Sequence, residues 1–391
     1  MSAKFDIVVY GATGYTGQLV AEYLAAHYVG DGAPIWGMAG RSRDKLASVR
    51  DAIGAPADTP LIAADAADPA SLRAMVDQAK LVVTTVGPYQ LYGSDLLAAC
   101  VADGTDYMDL CGERIWLKQM IDKHEAAARA SGARIMFSCG FDSMPFELGA
   151  FFVQEEARRV FGAPASRVKG RVRDLSWKFS GGTSASARVT FEAVAQDLSL
   201  VSILKDPFAF TPGFEGPKQP RGNKPVFEED LQSWSAPFAM ATLNTRNVHR
   251  SNMLMGFRYG RDFVYDEMVL TGPGDEGQAN AKLVMAANGE KTGPKALRPG
   301  EGPSKEEREA GRYDLLYIAI APDGRQVRAA VKGDLDPGYA STARMISECA
   351  ICLLCDAPDV PAGLWTPGAA MQHKLIKRLV DHAGLRFEVE N

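Results

Sequence analysis

Short apolar runs alternate with longer amphipathic stretches through the first third of the chain. The first run, Phe5–Tyr10, is rich in β-branched residues and predicts a buried strand. Similar runs predict five more strands, at Ile35–Ala39, Leu61–Ala64, Leu81–Val86, Tyr107–Leu110 and Arg134–Ser138. Between these runs lie stretches that predict helices. They are Leu19–Leu24, a polar stretch that begins at Arg43, Pro69–Val76, Ser94–Ala102 and Ile115–Ala130. This alternation predicts an α/β fold, a parallel sheet covered on both faces in the doubly wound Rossmann arrangement.

From Pro145 onward the regular alternation stops, and the pattern predicts a second, mixed α+β domain. Helices are expected at Phe146–Phe161, Ala187–Leu204, Gly338–Cys355 and Met371–Ala383. Strands are expected at Arg167–Lys178, Gly256–Arg261, Phe263–Thr271 and, as a hairpin, Tyr313–Ala321 with Val327–Lys332. A loop rich in glycine and charge spans Gly289–Gly311. The expected domains are 1–145, 146–335 and 336–391, the last a group of helices that returns to the first domain.

Three glycines, Gly11, Gly14 and Gly17, follow the first predicted strand and lead into a helix. A strand, a glycine turn and a helix in this order are the context in which such glycines bind a dinucleotide. The first glycine allows a sharp turn, the second lets backbone approach a pyrophosphate, and the third lets the helix pack close to the strand. The helix N-terminus offers N–H groups to the phosphates. The residues between the glycines are expected to line the same site: Thr13, Tyr15 and Thr16. A tight turn without a ligand is the alternative interpretation.

The end of the second predicted strand indicates which nucleotide is bound. NAD-binding domains place a carboxylate there for the ribose hydroxyls, whereas this chain has Arg41 and Ser42. A guanidinium offers two donors to a phosphate, so the sequence favours NADP(H), with Arg41 on the 2′-phosphate. The alternative is an arginine that only caps the next helix. Asp65, after the third strand, is expected at the adenine edge or, equally, as a helix cap.

The loop after the fourth predicted strand is expected to hold the nicotinamide and its ribose, because ligands in this fold bind beyond the carboxyl ends of the strands. The loop consists of Val86, Gly87, Pro88 and Tyr89. Gly87 lets the backbone approach the cofactor closely. Tyr89 is a candidate proton donor or stacking partner for a ring, although tyrosines more often serve in packing.

The loop after the fifth strand carries two carboxylates, Asp109 and Glu113, beside Arg114. Such a group is a candidate for acid–base chemistry or for orienting a substrate. An ion pair that also caps the following helix explains the same residues equally well. Cys111 lies between the carboxylates, but no histidine lies nearby in the sequence, which favours a buried thiol over a nucleophile.

The loop after the sixth strand leads out of the first domain and contains Cys139, Gly140 and Asp142. These three residues are expected to contact the cofactor. Asp142 or Ser143 is alternatively a cap for the helix that begins at Pro145, since proline suits a first helical turn.

Composition narrows the classes of function. A chain of 391 residues with 46% hydrophobic and 23% charged residues is typical of a globular protein with two domains. The net charge of −5 gives no basic face for nucleic acid, so no nucleic-acid partner is expected. The six cysteines, the absence of a secretory leader and the absence of an 18-residue apolar stretch predict a cytoplasmic protein, at most peripheral to a membrane.

Other motifs argue against other chemistries. Cys349, Cys352 and Cys355 have the spacing of an iron–sulfur run, but the fourth cysteine is missing and the segment reads as a buried helix, so no metal is expected. Neither Tyr-x-x-x-Lys nor Gly-x-Ser-x-Gly occurs, which disfavours short-chain dehydrogenase and serine hydrolase chemistry. The stretch Ser199–Phe214 is apolar and aromatic, and it could line a pocket for a long apolar substrate or rest on a membrane surface. The alternative is that it packs in the core or at a homodimer interface.

Taken together, these motifs resemble those of the saccharopine dehydrogenase-like oxidoreductases, in particular the trans-acting enoyl reductases. The matching segments run nearly from end to end: Gly11–Gly17, Ala39–Arg41, Val86–Tyr89, Tyr107–Glu113, Gly140–Pro145, Pro299–Arg308, Asp336–Leu353 and Gly363–Met371. The resemblance implies an NADP(H)-binding Rossmann domain, a central α+β domain and a C-terminal return. It also implies reduction of an enoyl group on a lipid or polyketide intermediate that another enzyme supplies.

Two other functions stay open. Saccharopine-type relatives act on amino-acid conjugates, and Arg246, Arg250, Arg258 and Arg261 are close enough in sequence to meet such a dicarboxylate. The apolar stretch 199–214 and the aromatic run 257–265 favour a lipid-like, free or carrier-bound acyl substrate instead. A non-catalytic NADP-binding scaffold is the third interpretation.

Overall fold

The computed structural model describes residues 3–176, 181–289 and 301–390. The strands are β1 (Phe5–Tyr10), β2 (Trp36–Gly40), β3 (Leu61–Ala63), β4 (Ala79–Thr84), β5 (Asp106–Met108), β6 (Arg134–Met136), β7 (Arg167–Leu175), β8 (Val226–Glu228), β9 (Ser233–Pro237), β10 (Val264–Gly272), β11 (Tyr313–Ile320), β12 (Gln326–Gly333), β13 (Gly363–Trp365) and β14 (Leu385–Glu390). The helices are α1 (Tyr15–His27), α2 (Arg43–Ala52), α3 (Pro69–Val76), α4 (Tyr89–Tyr92), α5 (Ser94–Asp103), α6 (Arg114–Ser131), α7 (Met144–Phe161), α8 (Gly181–Gln196), α9 (Val201–Lys205), α10 (Ala241–Leu254), α11 (Gly274–Gly289), α12 (Lys305–Glu309), α13 (Thr342–Ile351) and α14 (Pro367–Arg378).

The first sheet has seven parallel strands in the order β13-β6-β5-β4-β1-β2-β3. The order 3-2-1-4-5-6 is that of the Rossmann fold, and it confirms the predicted doubly wound sheet. β1 is at the centre and is buried along its length except at Asp6. The strand order reverses between β1 and β4, so the carboxyl ends of these two strands define the crevice where this fold binds its ligands.

The second sheet also has seven strands, in the order β14-β12-β11-β7-β10-β9-β8. Only β7 and β10 run parallel to each other, so this sheet is mixed, in agreement with the predicted α+β character. Helices α7 and α10 pack against it. The C-terminal segment contributes β13 to the first sheet and β14 to the second, so it joins both units; the domain boundaries given above stay a prediction.

The largest difference from the predicted elements is at 241–261. A strand was expected at Gly256–Arg261, and this prediction is wrong, because the segment forms turns that follow α10. Helix α10 itself was not predicted, because its buried residues are mostly polar, namely Asn244, Arg246, Asn247, His249, Arg250, Ser251 and Asn252. A pattern that equates burial with apolar residues cannot detect such a helix. Residues 290–300 of the predicted loop and 177–178 of the predicted strand lie outside the described residues.

Within the described residues, no helix is both long and apolar enough to cross a membrane.

Several carboxylates are buried in this fold, among them Glu267 on β10. It accepts hydrogen bonds from Asn244 Nδ2 at 2.9 Å and from Tyr265 Oη at 2.9 Å, yet burial raises its pKa to about 8. Burial likewise raises the pKa of Glu147 and of Asp109 to about 7. The folded protein therefore keeps protons that the unfolded chain releases near the ordinary carboxyl pKa.

This difference predicts that the free energy of unfolding decreases between about pH 5 and about pH 8. Because the folded state holds more protons than the unfolded state in this range, raising the pH favours unfolding. Glu267 alone should contribute on the order of 4 kcal/mol, from a pKa shift of about three units. Urea unfolding at several pH values measures the slope, and E267Q should flatten it. A stability that rises with pH over this range would contradict the prediction.

Candidate active site at the mouth of the first sheet

The glycine turn between β1 and α1 has the shape and the donors of a phosphate cradle. Gly11 has a φ of +93°, and a Cβ on it would lie 2.8 Å from Thr85 Oγ1. A Cβ on Gly17 would lie 2.1 Å from the carbonyl oxygen of Gly11, so α1 approaches the turn as closely as glycine permits. Gly14 is the N-cap of α1 and has no side chain to occupy the first-turn N–H groups. These features fit a bound pyrophosphate, with Thr13 and Thr16 half-buried around it.

Tyr15, expected to line the same site, connects it to a distant segment. Its hydroxyl donates to the carbonyl oxygen of Pro303, and Arg308 Nη1 donates to the hydroxyl at 3.0 Å. A Cβ on Gly302 would lie 2.5 Å from the Tyr15 ring, and the Tyr339 ring packs edge-on against it at 5.1 Å. The segment before α12 therefore lies directly beside the first turn of α1.

At the next strand ends, Arg41 is exposed and forms no ion pair within the described part of the chain. Ser42 accepts a hydrogen bond from Lys45 N at 3.3 Å, so the serine caps α2 and leaves the guanidinium available. Asp65 accepts from Ala67 N at 3.0 Å, but the N-cap of α3 is Asp68. The cap interpretation of Arg41 and of Asp65 thus loses support.

The hydroxyl of Tyr10 lies near both groups. Burial, together with the Asp65 carboxylate, raises the pKa of Tyr10 to about 12, and the Arg41 guanidinium opposes this rise. Since Tyr10 ends β1, the structure brings the ends of β1, β2 and β3 together as the sequence expects for the adenosine half of a dinucleotide.

The loop of Val86, Gly87, Pro88 and Tyr89 is held rigidly by Glu113. This carboxylate accepts from the N–H of Tyr89 at 2.8 Å and of Gln90 at 2.7 Å, and so caps the short helix α4. Ser186 on α8 also donates to Glu113, at 2.7 Å, which places a helix of the second unit against this loop. The Tyr89 hydroxyl is buried, donates to the Thr84 carbonyl at 3.2 Å and accepts from Leu110 N at 3.1 Å. Both bonds keep it inside the protein.

Asp109 joins the loops after β5 and β6. Its carboxylate accepts from Cys111 N at 3.0 Å, from Ser138 N at 2.8 Å and from the Tyr107 hydroxyl at 3.0 Å, and it is fully buried. The Cys111 thiol is also buried, and burial raises its pKa, which agrees with a structural thiol. Neither Asp109 nor Glu113 pairs with Arg114 within the described residues, so the alternative interpretation as an ion pair loses support.

The loop after β6 presents one carboxylate differently. Gly140 is packed so closely that a Cβ would lie 2.9 Å from Leu110 Cδ2, and the Cys139 thiol is buried. Asp142 is half-buried and has no hydrogen bond to the described residues, and burial alone raises its pKa to about 6. Ser143 begins α7 without capping it; it accepts instead from Asn247 Nδ2 of α10, at 2.8 Å. The Asp142 carboxylate therefore has no hydrogen-bond donor among the described residues, and it lies in the loop that connects the two units.

The four arginines that left a dicarboxylate substrate open, Arg246, Arg250, Arg258 and Arg261, have separate partners in the described structure. Arg250 donates to the carbonyls of Phe210 and Leu364 and to Glu125. Arg258 forms a two-pronged pair with Glu155, at 2.9 and 2.7 Å. Arg261 stacks on the Phe257 ring, 4.1 Å from its centroid. Arg246 alone of the four is buried without a carboxylate that hydrogen-bonds to it.

The described residues hold no cluster of three or more metal-ligating side chains. The stretch 199–214 divides in two: Phe208, Ala209 and Phe210 are buried, whereas Ser199, Ser202 and Lys205 are exposed. Part of the stretch is therefore core, and no described contact assigns the rest to a lipid.

Three comparisons describe what this chain is similar to. The family model of the saccharopine dehydrogenase NADP binding domain matches residues 7–136. A Mycobacterium tuberculosis protein, provisionally named a trans-acting enoyl reductase, is 38% identical over 96% of this chain and 95% of its own length. The trans-acting enoyl reductase of the same organism is 35% identical, with 96% of each chain covered.

Among solved structures, the apo saccharopine dehydrogenase (L-Glu forming) of Saccharomyces cerevisiae has a TM-score of 0.56. That similarity covers 99% of this chain and 100% of the yeast chain, at 13% identity. At such low identity the similarity concerns the fold: both units of this chain, and not only the first, have their counterparts there.

Proposed function

Because the chain belongs to the trans-acting enoyl reductases, a branch of the saccharopine dehydrogenase-like NADP-dependent oxidoreductases, we propose that it reduces the activated C=C bond of a lipid- or polyketide-like acyl substrate. The observation that carries this proposal is the extent of the similarity. Relatives of this name match 96% of the chain, so the likeness includes the second unit as well as the NADP-binding one.

The cofactor is assigned to residues at the mouth of the first sheet. Gly11, Gly14 and Gly17 with the first turn of α1 take the pyrophosphate, and Arg41 takes the 2′-phosphate. The rigid loop 86–89 is assigned to the nicotinamide. The support for this is its position after β4, at the point where the strand order reverses.

Bound NADPH would supply the hydride for the β-carbon of the enoyl group; the α-carbon would take up a proton, and the C=C bond would become a single bond. The protein must provide that proton. Among the carboxylates predicted for the site, Asp142 is the one that is not consumed by internal hydrogen bonds, and its pKa of about 6 keeps a useful protonated fraction near neutral pH. We assign the proton donor to Asp142.

Tyr89, Asp109 and Glu113 were the candidates from the sequence. Their hydrogen bonds favour a positioning role: Glu113 holds the Tyr89 loop, Asp109 holds the next two loops together, and the Tyr89 hydroxyl binds Leu110. Leu110 in turn touches Gly140, so the three residues align the cofactor loop with the Asp142 loop. Direct catalysis by Tyr89 is the competing assignment.

The test is to incubate the protein with NADPH and a short enoyl thioester, crotonyl-N-acetylcysteamine or crotonyl-coenzyme A. We expect NADPH absorbance to fall in step with formation of a product two mass units heavier than the enoyl substrate. Oxidation of NADPH only by an oxo acid plus an amino acid would favour the amino-acid-conjugate dehydrogenase. Binding of NADPH without turnover of any of these acceptors would favour a scaffold.

Delivery of the acyl group on a carrier is part of the proposal, since the relatives are named as acting in trans. Contact with a membrane surface and assembly into a homodimer stay predictions of the sequence. Phe191 on α8 and Leu198 just after that helix are exposed apolar side chains that could serve either contact.

A further inference from the structure

Two arginines, Arg114 and Arg246, lie near each other beside the Tyr89 loop. The start of α6 is close to α10 here, since a Cβ on Gly112 would lie 3.6 Å from Leu243 Cδ2, and Arg250 of α10 pairs with Glu125 of α6. Arg114 is the first residue of α6, is half-buried, and makes no hydrogen bond or ion pair with the described residues. Arg246 on α10 is 5% exposed; its Nη atoms donate to the carbonyls of Thr242 and Leu204, and its Nε has no partner in the described chain. Burial, and then the facing Arg114, lower the pKa of Arg246 to about 10.

The other groups around this pair leave its charge largely uncompensated. His249, one turn further along α10, is buried with its Nε2 unpartnered among described atoms, and burial followed by the Arg246 charge lowers its pKa to about 3, so it is neutral. Asp206 is the one carboxylate that opposes Arg246, and it is exposed, with Oδ1 accepting from Phe208 N. The N-terminus of the 18-residue α6 adds positive potential.

A purely structural role does not explain these arginines. A buried charge without a partner costs stability, and replacing it with a neutral side chain is expected to help folding rather than harm it. Arg250 on the same helix also has an unpartnered Nε among the described atoms and also donates to two carbonyls, but it differs in having the Glu125 carboxylate as a counter-charge, as a structural arginine should.

The pair also lies alongside the reaction site. The neighbour of Arg114 is Glu113, which holds the cofactor loop through the N–H groups of Tyr89 and Gln90. The neighbour of Arg246 is Asn247, which donates to Ser143, the residue after Asp142. An anion bound at the two arginines would therefore be part of a molecule that also enters the candidate active site at the mouth of the first sheet.

We propose that Arg114 and Arg246 form a subsite for an anionic group of the substrate, either the phosphate of a pantetheine carrier arm or a carboxylate. The assignment of this anion to the substrate rests on the proposed function; the anion site itself does not. Arg114 would contact the anion, and the more deeply buried Arg246 would contribute a second positive charge close to it. Two guanidinium groups suit phosphate and carboxylate oxygens in preference to a neutral polar group.

The test uses the full chain saturated with NADP⁺, so that the nucleotide's own phosphate sites are filled. Pantetheine 4′-phosphate, neutral pantetheine and octanoate are titrated by calorimetry. We expect the phosphate to bind at least about tenfold more tightly than pantetheine, and R114Q to remove that advantage. If octanoate, and not the phosphate, loses affinity in R114Q, the subsite takes a carboxylate. If R114Q changes the affinity for neither anion, the proposal is overturned.

R159Q is the matched control, because Arg159 is 72% exposed and paired with Glu156, and its loss should leave all three affinities unchanged. R114Q should also raise the midpoint of thermal unfolding without ligand, whereas a lower midpoint would mark Arg114 as structural and count against the proposal. R246M is the second variant. Provided that it binds NADPH normally, it should also lose the tighter binding of pantetheine 4′-phosphate over pantetheine. Enoyl-thioester turnover is measured separately. If the protein binds the anion but does not reduce the thioester, the proposed function is wrong and the anion site stands.

Discussion

Replacing Gly14 by valine is expected to raise the dissociation constant for NADPH at least about 100-fold while the protein still folds. A Cβ at Gly14 would meet one atom, the carbonyl oxygen of Gly11, at 3.2 Å, a tight contact that a shift of a few tenths of an ångström relieves, so we expect the fold to tolerate a side chain there. The branches of valine would instead fill the space in front of the N-terminus of α1, where the pyrophosphate is assigned. Titration of NADPH fluorescence gives the affinity, and thermal unfolding monitors the fold.

Gly14 is a sharper choice for this experiment than its neighbours. Valine at Gly17 would place Cβ 2.1 Å from a backbone oxygen, and at Gly11 it would also require a φ of +93°, so both variants would damage the fold. A26V adds a similar bulk to an exposed position of the same helix and should leave NADPH affinity unchanged. If G14V bound NADPH as tightly as A26V does, the nucleotide could not lie on this turn.

Replacing Asp142 by asparagine should lower kcat for an enoyl thioester by a factor of about 100 or more, with NADPH affinity changed little. Asparagine keeps the size of the side chain but removes the acidic proton. The wild-type rate should also fall as the pH rises above about 6, because the donor must be protonated and the pKa of Asp142 is about 6. This limb of the pH profile should be absent in D142N.

Y89F tests the competing assignment under the same conditions. Loss of its hydroxyl removes hydrogen bonds to Thr84 and Leu110, so a fall in stability of about 1 kcal/mol and a fall in kcat of less than about tenfold are expected. A larger effect in Y89F than in D142N, with the pH limb retained in D142N, would transfer the proton-donor role to Tyr89.

The hydrogen bonds of the three sequence-predicted candidates explain why a list of acidic residues could not identify the donor. Nothing near Glu113 in the sequence indicates a partner, but its carboxylate accepts hydrogen bonds from the N–H groups of Tyr89 and Gln90, more than twenty residues earlier. Asp109 is occupied by Ser138 in the next loop. Asp142 has the same chemistry and no such partner among the residues that the structure describes. Whether a carboxylate is occupied depends on which loops meet, and residue type carries no information about that.

The sequence by itself determined six of the seven strands described in the first sheet and the nucleotide turn; the seventh, β13, comes from the C-terminal segment, for which helices were expected. Both depend on local signals: β-branched runs and helical spacing set the alternation of elements, and a right-handed crossover then leaves little choice of strand order. The turn from Phe5 to Gly17 is likewise contained in thirteen consecutive residues, and the missing carboxylate after β2 is local too.

Only the tertiary structure decided what lies opposite that turn. Helix α10 is invisible to hydrophobic periodicity because it buries asparagine, arginine, histidine and serine, and it pairs them with residues from other elements. Arg114 and Arg246 are far apart in the chain and meet only when α6 and α10 pack together. Burial then changes their chemistry, as it does for Asp142, because a charge removed from water without a partner is costly. Local patterns can place a backbone, but desolvation is a property of the assembled fold.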